Sequence, residues 1–84
     1  MAYEVHLVDS VKKKLRKMVK KDSLTYRRLI ETFNQLSEDP HGVGKWMHSE
    51  YAGVRERHMG HFVVKYVIDE STKIVTIVEY DHHA

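Results

Sequence analysis

HFVVKYVI, residues 61–68, decides how this chain is read. Phe62, Val64, Tyr66 and Ile68 occupy alternate positions, the period of a strand that buries one face, so His61, Val63 and Lys65 are expected to point the other way. Upstream, VRERHM (54–59) is polar and reads as an edge or solvated strand, while downstream IVTIVEY (74–80) is rich in the β-branched residues that fit a pleated surface. Gly60 separates the first two strands and DESTK (69–73) turns between the last two, which makes a three-stranded meander.

Working back from the meander, DPHGVGKWMHSEYAG (39–53) contains Gly42, Gly44 and Gly53 without a sustained period and reads as a loop anchored by Trp46. Before it, Tyr26, Leu29, Ile30, Phe33 and Leu36 recur at helical spacing, and EDP at 38–40 ends that helix because the residue before proline avoids helical angles. Another helix lies in VKKKLRKMVKK (11–21), where Val11, Leu15, Met18 and Val19 form one apolar stripe. Asp9 and Ser10 are suited to capping its start, and Asp22 or Ser23 punctuates its end. YEVHLV (3–8) alternates Tyr3, Val5 and Leu7 against Glu4 and His6, a further strand. The expected fold is α+β and a single domain over 1–84: a small, mainly antiparallel sheet in the order β-α-α-β-β-β, with an N-terminal helical hairpin on one face and the other face free.

A chain of 84 residues buries only a little over ~60% of its unfolded surface, which leaves no room for a separate cofactor domain, and no cofactor is expected. With 42% hydrophobic and 31% charged residues the composition is that of a soluble globule. No apolar run nears the ~20 residues that span a bilayer, and MAYEVHLVD lacks the regions of a signal peptide, so no membrane partner and a cytoplasmic location are expected. The absence of cysteine excludes disulfides, thiolate metal clusters and cysteine nucleophiles. HMGH (58–61) offers two metal ligands with no partner motif, and no metal site is expected.

Charge is uneven. Residues 11–21 hold seven Lys or Arg and no acid, which suits a polyanionic partner such as RNA, although a run of charge also keeps a surface helix soluble. Arg55 and Arg57 share one side of their strand; with Lys65 and a histidine from the terminal pair His82 and His83 they are expected on the free sheet face. Guanidinium groups bind phosphate oxygens and an imidazole moves protons near neutral pH, so such a cluster suits phosphodiester cleavage. The alternatives are solvated edge-strand charges for the arginines and a loose tail for the histidines. Glu79 and Asp81 share a face and are read as partners of nearby Lys or Arg, with Mg²⁺ ligation as the other reading.

EDPHG closing the second helix, GHFVVKYVID entering its strand behind a glycine, and TIVEYDHH ending the last strand together resemble the RelE/ParE toxin superfamily across residues 3 to about 83. The resemblance implies a toxin silenced by a RelB-like antitoxin. RelE-like members cut messenger RNA on the ribosome without a metal by 2′-hydroxyl attack, and ParE-like members poison DNA gyrase instead. It also implies site residues: Arg55 and Arg57 match a basic pair, His83 matches a terminal Arg or His, and His82 the histidine that precedes it. The family's third-strand arginine falls on Val63, with Lys65 its substitute on the same face, and a C-terminal tyrosine used by some members has no counterpart before Ala84. Lys12, Lys13, Lys14, Arg16, Lys17, Lys20, Lys21 and Lys45 are then expected to dock on ribosomal RNA. A gyrase inhibitor or a catalytically inactive binding protein is the alternative.

Overall fold

The computed structural model describes residues 2–46 and 53–82. Along the chain run β1 (Glu4–Leu7), α1 (Asp9–Lys21), α2 (Ser23–Glu38), α3 (Pro40–Val43), β2 (Lys45–Trp46), β3 (Val54–Met59), β4 (Phe62–Asp69) and β5 (Ile74–His82). The architecture is the expected α+β one, with a five-stranded sheet ordered β1-β5-β4-β3-β2. β1 runs parallel to β5 and the other pairs are antiparallel. A parallel neighbour needs a long crossover, and the α1–α2 hairpin begins it. Among the described residues no helix is long and apolar enough to cross a membrane.

Two aspartates make the helix joints. Asp22 closes α1 by donating its N–H to the Met18 carbonyl, and opens α2 by accepting from Thr25 N at 3.1 Å and Thr25 Oγ1 at 2.6 Å. Those bonds, the hydroxyl's first, hold its carboxyl below the usual carboxylate range. Asp39 does the same between α2 and α3: its N–H donates to Gln35 O and its side chain accepts from Gly42 N at 3.0 Å. Pro40 follows at the first position of α3, where a missing N–H costs nothing. Residues 39–53 are therefore not all loop: they contain α3 and β2, with 47–52 outside the described residues. Asp9 also departs from expectation. Val8 is the extended residue before α1 and makes no side-chain cap, so Asp9 sits inside the first turn and acts through its charge on the helix dipole.

The core lies between the hairpin and the sheet: Val11 and Leu15 from α1, Leu29, Phe33 and Leu36 from α2, and Val64, Tyr66, Val75, Ile77 and Tyr80 from the sheet. Val19 and Ile30, though on the apolar stripes, lie at the stripe margins and remain 45% and 36% exposed.

Register is set by two local features. Gly60 and His61 make a two-residue turn with φ +60° at the glycine, which closes Met59 against Phe62 and so pairs Arg57 with Val64 and Arg55 with Tyr66. Between β4 and β5 the register shifts at Lys65/Tyr66: Lys65 pairs with Glu79 but Tyr66 with Ile77, leaving Val78 as an extra residue.

Candidate functional site

Residues directly opposed in an antiparallel pair share a face. Tyr66 and Val64 belong to the core under the helices, so Arg55 and Arg57, which oppose them, lie on the helix side. Lys65, opposed by Glu56 and Glu79, lies on the open side. The expected grouping of Arg55, Arg57 and Lys65 on one free face does not form. Parity within each strand was read correctly, but the two-residue turn puts β3 in the opposite phase.

Arg55 is only 9% exposed and donates from Nη1 to the His41 carbonyl at 3.2 Å. Tyr66, fully buried, donates its hydroxyl to the Pro40 carbonyl at 2.7 Å. These two side chains hold α3 against the sheet. Burial raises the Tyr66 pKa, and the positive charge of Arg55 is the largest effect pulling it back. Gly44, just after α3, is required by space: a Cβ there would lie 1.9 Å from Tyr66 Oη and 2.9 Å from the Glu56 carbonyl. Nothing in the sequence pattern marks that contact. Arg57 lines a cavity of about 280 Å³ with Val43, Gly44, Glu56 and His58, and its Nε is buried without a hydrogen-bond partner among the described residues.

The open face carries two rows across β3, β4 and β5: Glu56, Lys65 and Glu79, then His58, Val63 and Asp81. Lys65 Nζ meets Glu79 Oε1 at 2.8 Å, as the reading of Glu79 as a partner for a basic residue expected. His58 Nε2 lies 3.3 Å from Glu56 Oε1, an imidazole beside a carboxylate one row from an ammonium. Such a pair can fix an imidazole's orientation and exchange a proton through it. The spacing of residues 56 and 58 on one strand was the available signal for this pair, since i and i+2 share a face. His82 pairs with Phe62 at the end of β5, and His83 lies outside the described residues.

On α1 the side chains of Lys12, Lys13, Lys14, Arg16, Lys17, Lys20 and Lys21 are all exposed, and Arg27 and Arg28 extend the positive surface on α2. Lys45 pairs with Glu56 through the β2–β3 ladder. At the far end of the sheet Glu70 accepts from Lys73 Nζ and Tyr3 Oη, both at 2.8 Å, and also contacts His41 Nε2. These hydrogen bonds, that of Lys73 first, pull its carboxyl down to about 2.

No family model matches the chain. It is 27% identical over 81 residues to a protein of Methanocaldococcus jannaschii named toxin RelE4, across 96% of this chain and 86% of that protein. Among solved structures, a chain of the toxin–antitoxin complex RelBE2 from Mycobacterium tuberculosis superposes with TM-score 0.85 at 27% identity, over 99% of this chain and 100% of that one. Over nearly its whole length the chain is similar to RelE toxins and shares their fold. The isolated RelE toxin of E. coli shares the fold at 14% identity, with TM-score 0.81 over 99% of this chain and 86% of that one. Val63, where the resemblance seen in the sequence puts the expected third-strand arginine, sits on the open face between His58 and Asp81. The open face, not the arginine side, thus carries that position.

Proposed function

We propose that this RelE-like chain is the toxin of a toxin–antitoxin pair and cuts ribosome-bound messenger RNA on the open face of its sheet, without a metal. The observation that carries the reading is the Glu56–His58 pair standing beside Lys65 on the face that the α1–α2 hairpin leaves uncovered. A strand of RNA needs such a surface; the helix side, where Arg55 is buried, is filled by the hydrophobic core.

In this scheme the ribose 2′-oxygen attacks the adjacent phosphorus, the O2′–P bond forms, and the P–O5′ bond breaks to leave a cyclic phosphate and a free 5′-hydroxyl. His58, oriented by Glu56, takes the 2′-hydroxyl proton. Lys65 balances the charge that grows on the phosphate oxygens. His83, with His82 as its alternate, returns a proton to O5′. Arg55 supports α3, and Arg57 enters the cavity it shares with Glu56 and His58 from the helix side of β3, so neither is assigned a phosphate. The basic residues of α1 and Lys45 dock on ribosomal RNA through its phosphates, and a RelB-like antitoxin is the silencing partner.

Primer extension on ribosome-bound message tests this with wild type and His58→Gln. Cuts by the wild type that fall ~10²- to 10⁴-fold in the variant are expected, the usual worth of a general acid or base. Undiminished cutting by His58→Gln, or growth arrest with DNA breaks and intact message as a gyrase poison would give, overturns the proposal.

A further inference from the structure

β1 is an edge strand, and its outer edge is open over a short, defined stretch. Glu4 N–H donates to Lys73 O at 2.9 Å and Val8 N–H to Ile77 O at 3.2 Å, so Glu4, His6 and Val8 turn their main-chain groups toward β5. Tyr3, Val5 and Leu7 turn theirs outward, by the alternation of an extended chain. At one end Tyr3 is already satisfied: its N–H donates to the Ser37 carbonyl at 2.7 Å and its carbonyl accepts from Ser37 Oγ at 2.8 Å. At the other end α1 begins at Asp9. Between them lie the N–H and C=O of Val5 and Leu7, main-chain groups with no partner among the described residues. The side chains of Val5 and Leu7 pack against the core, while Glu4 and His6 stand on the open face with Glu4 Oε1 3.3 Å from His6 Nε2.

We infer that this edge pairs with a second copy of the chain, β1 antiparallel to β1 about a two-fold axis at His6. In that register Val5 opposes the second copy's Leu7 and Leu7 its Val5, and all the open groups bond to one another. On the core side apolar side chains meet apolar ones. On the open side the two His6 rings flank the axis, and each Glu4 lies diagonal to the other copy's His6, so two carboxylates stand beside two imidazoles in a self-complementary set. Moving the axis to Val5 would put Glu4 directly opposite His6, but Tyr3 would have to leave Ser37. A longer extended peptide fits less well, because Ser37 and α1 close the edge at its two ends and leave nothing further to bond. RNA fits less well still, since Glu4 and Asp9 flank the edge with like charge to its phosphates. The pairing is short against a standard interface, so the dimer is a transient one. It needs neither the cleavage chemistry nor a silencing partner, and it sets the open faces of the two copies side by side on one continuous sheet.

Cysteine cross-linking tests this on the full chain, which has no cysteine of its own. Opposed residues of a non-hydrogen-bonded antiparallel pair have Cα atoms about 4.5 Å apart, within reach of a disulfide. With oxidised glutathione as the oxidant, itself reduced to two glutathiones, His6→Cys is expected to give linked dimer about tenfold faster or more than Glu4→Cys, whose thiol shares the face but lies off the axis. Adding Val5→Pro deletes an outward N–H and no bond to β5, so it should bring the His6→Cys rate down to that of Glu4→Cys while the circular dichroism spectrum stays that of the parent. In sedimentation equilibrium the weight-average mass of the wild type should rise from one chain toward two with concentration, and that of Val5→Pro should stay at one. Equal linking of His6→Cys and Glu4→Cys, faster linking of Val5→Cys than of His6→Cys, undiminished linking after Val5→Pro, or a wild type that stays at one chain throughout overturns the inference.

Discussion

Replacing Gly44 by alanine tests how the chain is closed around α3. The backbone at Gly44, φ −104°, is one that alanine adopts freely, so the effect is purely one of space. A Cβ would lie 1.9 Å from Tyr66 Oη, 2.7 Å from Cζ and 2.9 Å from the Glu56 carbonyl. Tyr66 has no exposed surface and its hydroxyl is held at 2.7 Å by Pro40 O, so relief requires moving the ring, the α3 turn or β3, and the Tyr66 hydrogen bond goes first. Overpacking of this kind costs about 1–3 kcal/mol, which in a domain of this size lowers Tm by roughly 5–20 °C. Thermal unfolding followed by circular dichroism measures it. Adding Tyr66→Phe removes the atom in closest conflict, so the double variant should be more stable than the sum of the two losses by about 1 kcal/mol. A Gly44→Ala protein as stable as the wild type, or strict additivity in the double variant, would refute the packing argument.

Three more outcomes follow from the same contacts. Arg55→Met leaves the His41 carbonyl without its donor and should cost about 1–3 kcal/mol in urea unfolding, while RNA cleavage below the melting range stays near wild type. Leu29→Ala, at a site with no exposed surface, should cost about 2–5 kcal/mol in the same assay. The Glu70 carboxyl titrates near 2 in the fold against 4.5 ordinarily, so its bonds stabilise the protein fully above about pH 4.5 and that contribution fades as pH falls toward 2; in Glu70→Gln the acid-side decline of Tm should be shallower.

Much of the fold was legible because it rests on local periods. The alternation of Phe62, Val64, Tyr66 and Ile68, the stripe of Leu29, Phe33 and Leu36, and the stop at Pro40 each express a single element's geometry, and each recurs in the structure. α3 was not legible: four residues carry no amphipathic period, and the helix exists because Asp39 caps it and Arg55 and Tyr66 hold its carbonyls from the sheet. The site was misread at one step. Gly60–His61 already had the composition of a two-residue hairpin turn, and that turn fixes Arg57 opposite Val64; read as such, it moves both arginines to the helix side and leaves His58, Glu56 and Lys65 on the open one. The contacts of Glu70 with His41 and Tyr3 join residues 29 and 67 positions apart, and no local pattern announces them.

The claim that the open face does the chemistry is tested most directly by comparing His58→Gln and Arg57→Gln, neighbours on β3 that face opposite sides of the sheet. Both are assayed for cleavage of ribosome-bound message at a temperature where both are folded. His58→Gln is predicted to lose activity by ~10²-fold or more while Arg57→Gln stays within about tenfold of wild type. The reverse order, with Arg57→Gln inactive and His58→Gln still cutting, would place the reaction on the helix side and contradict the account.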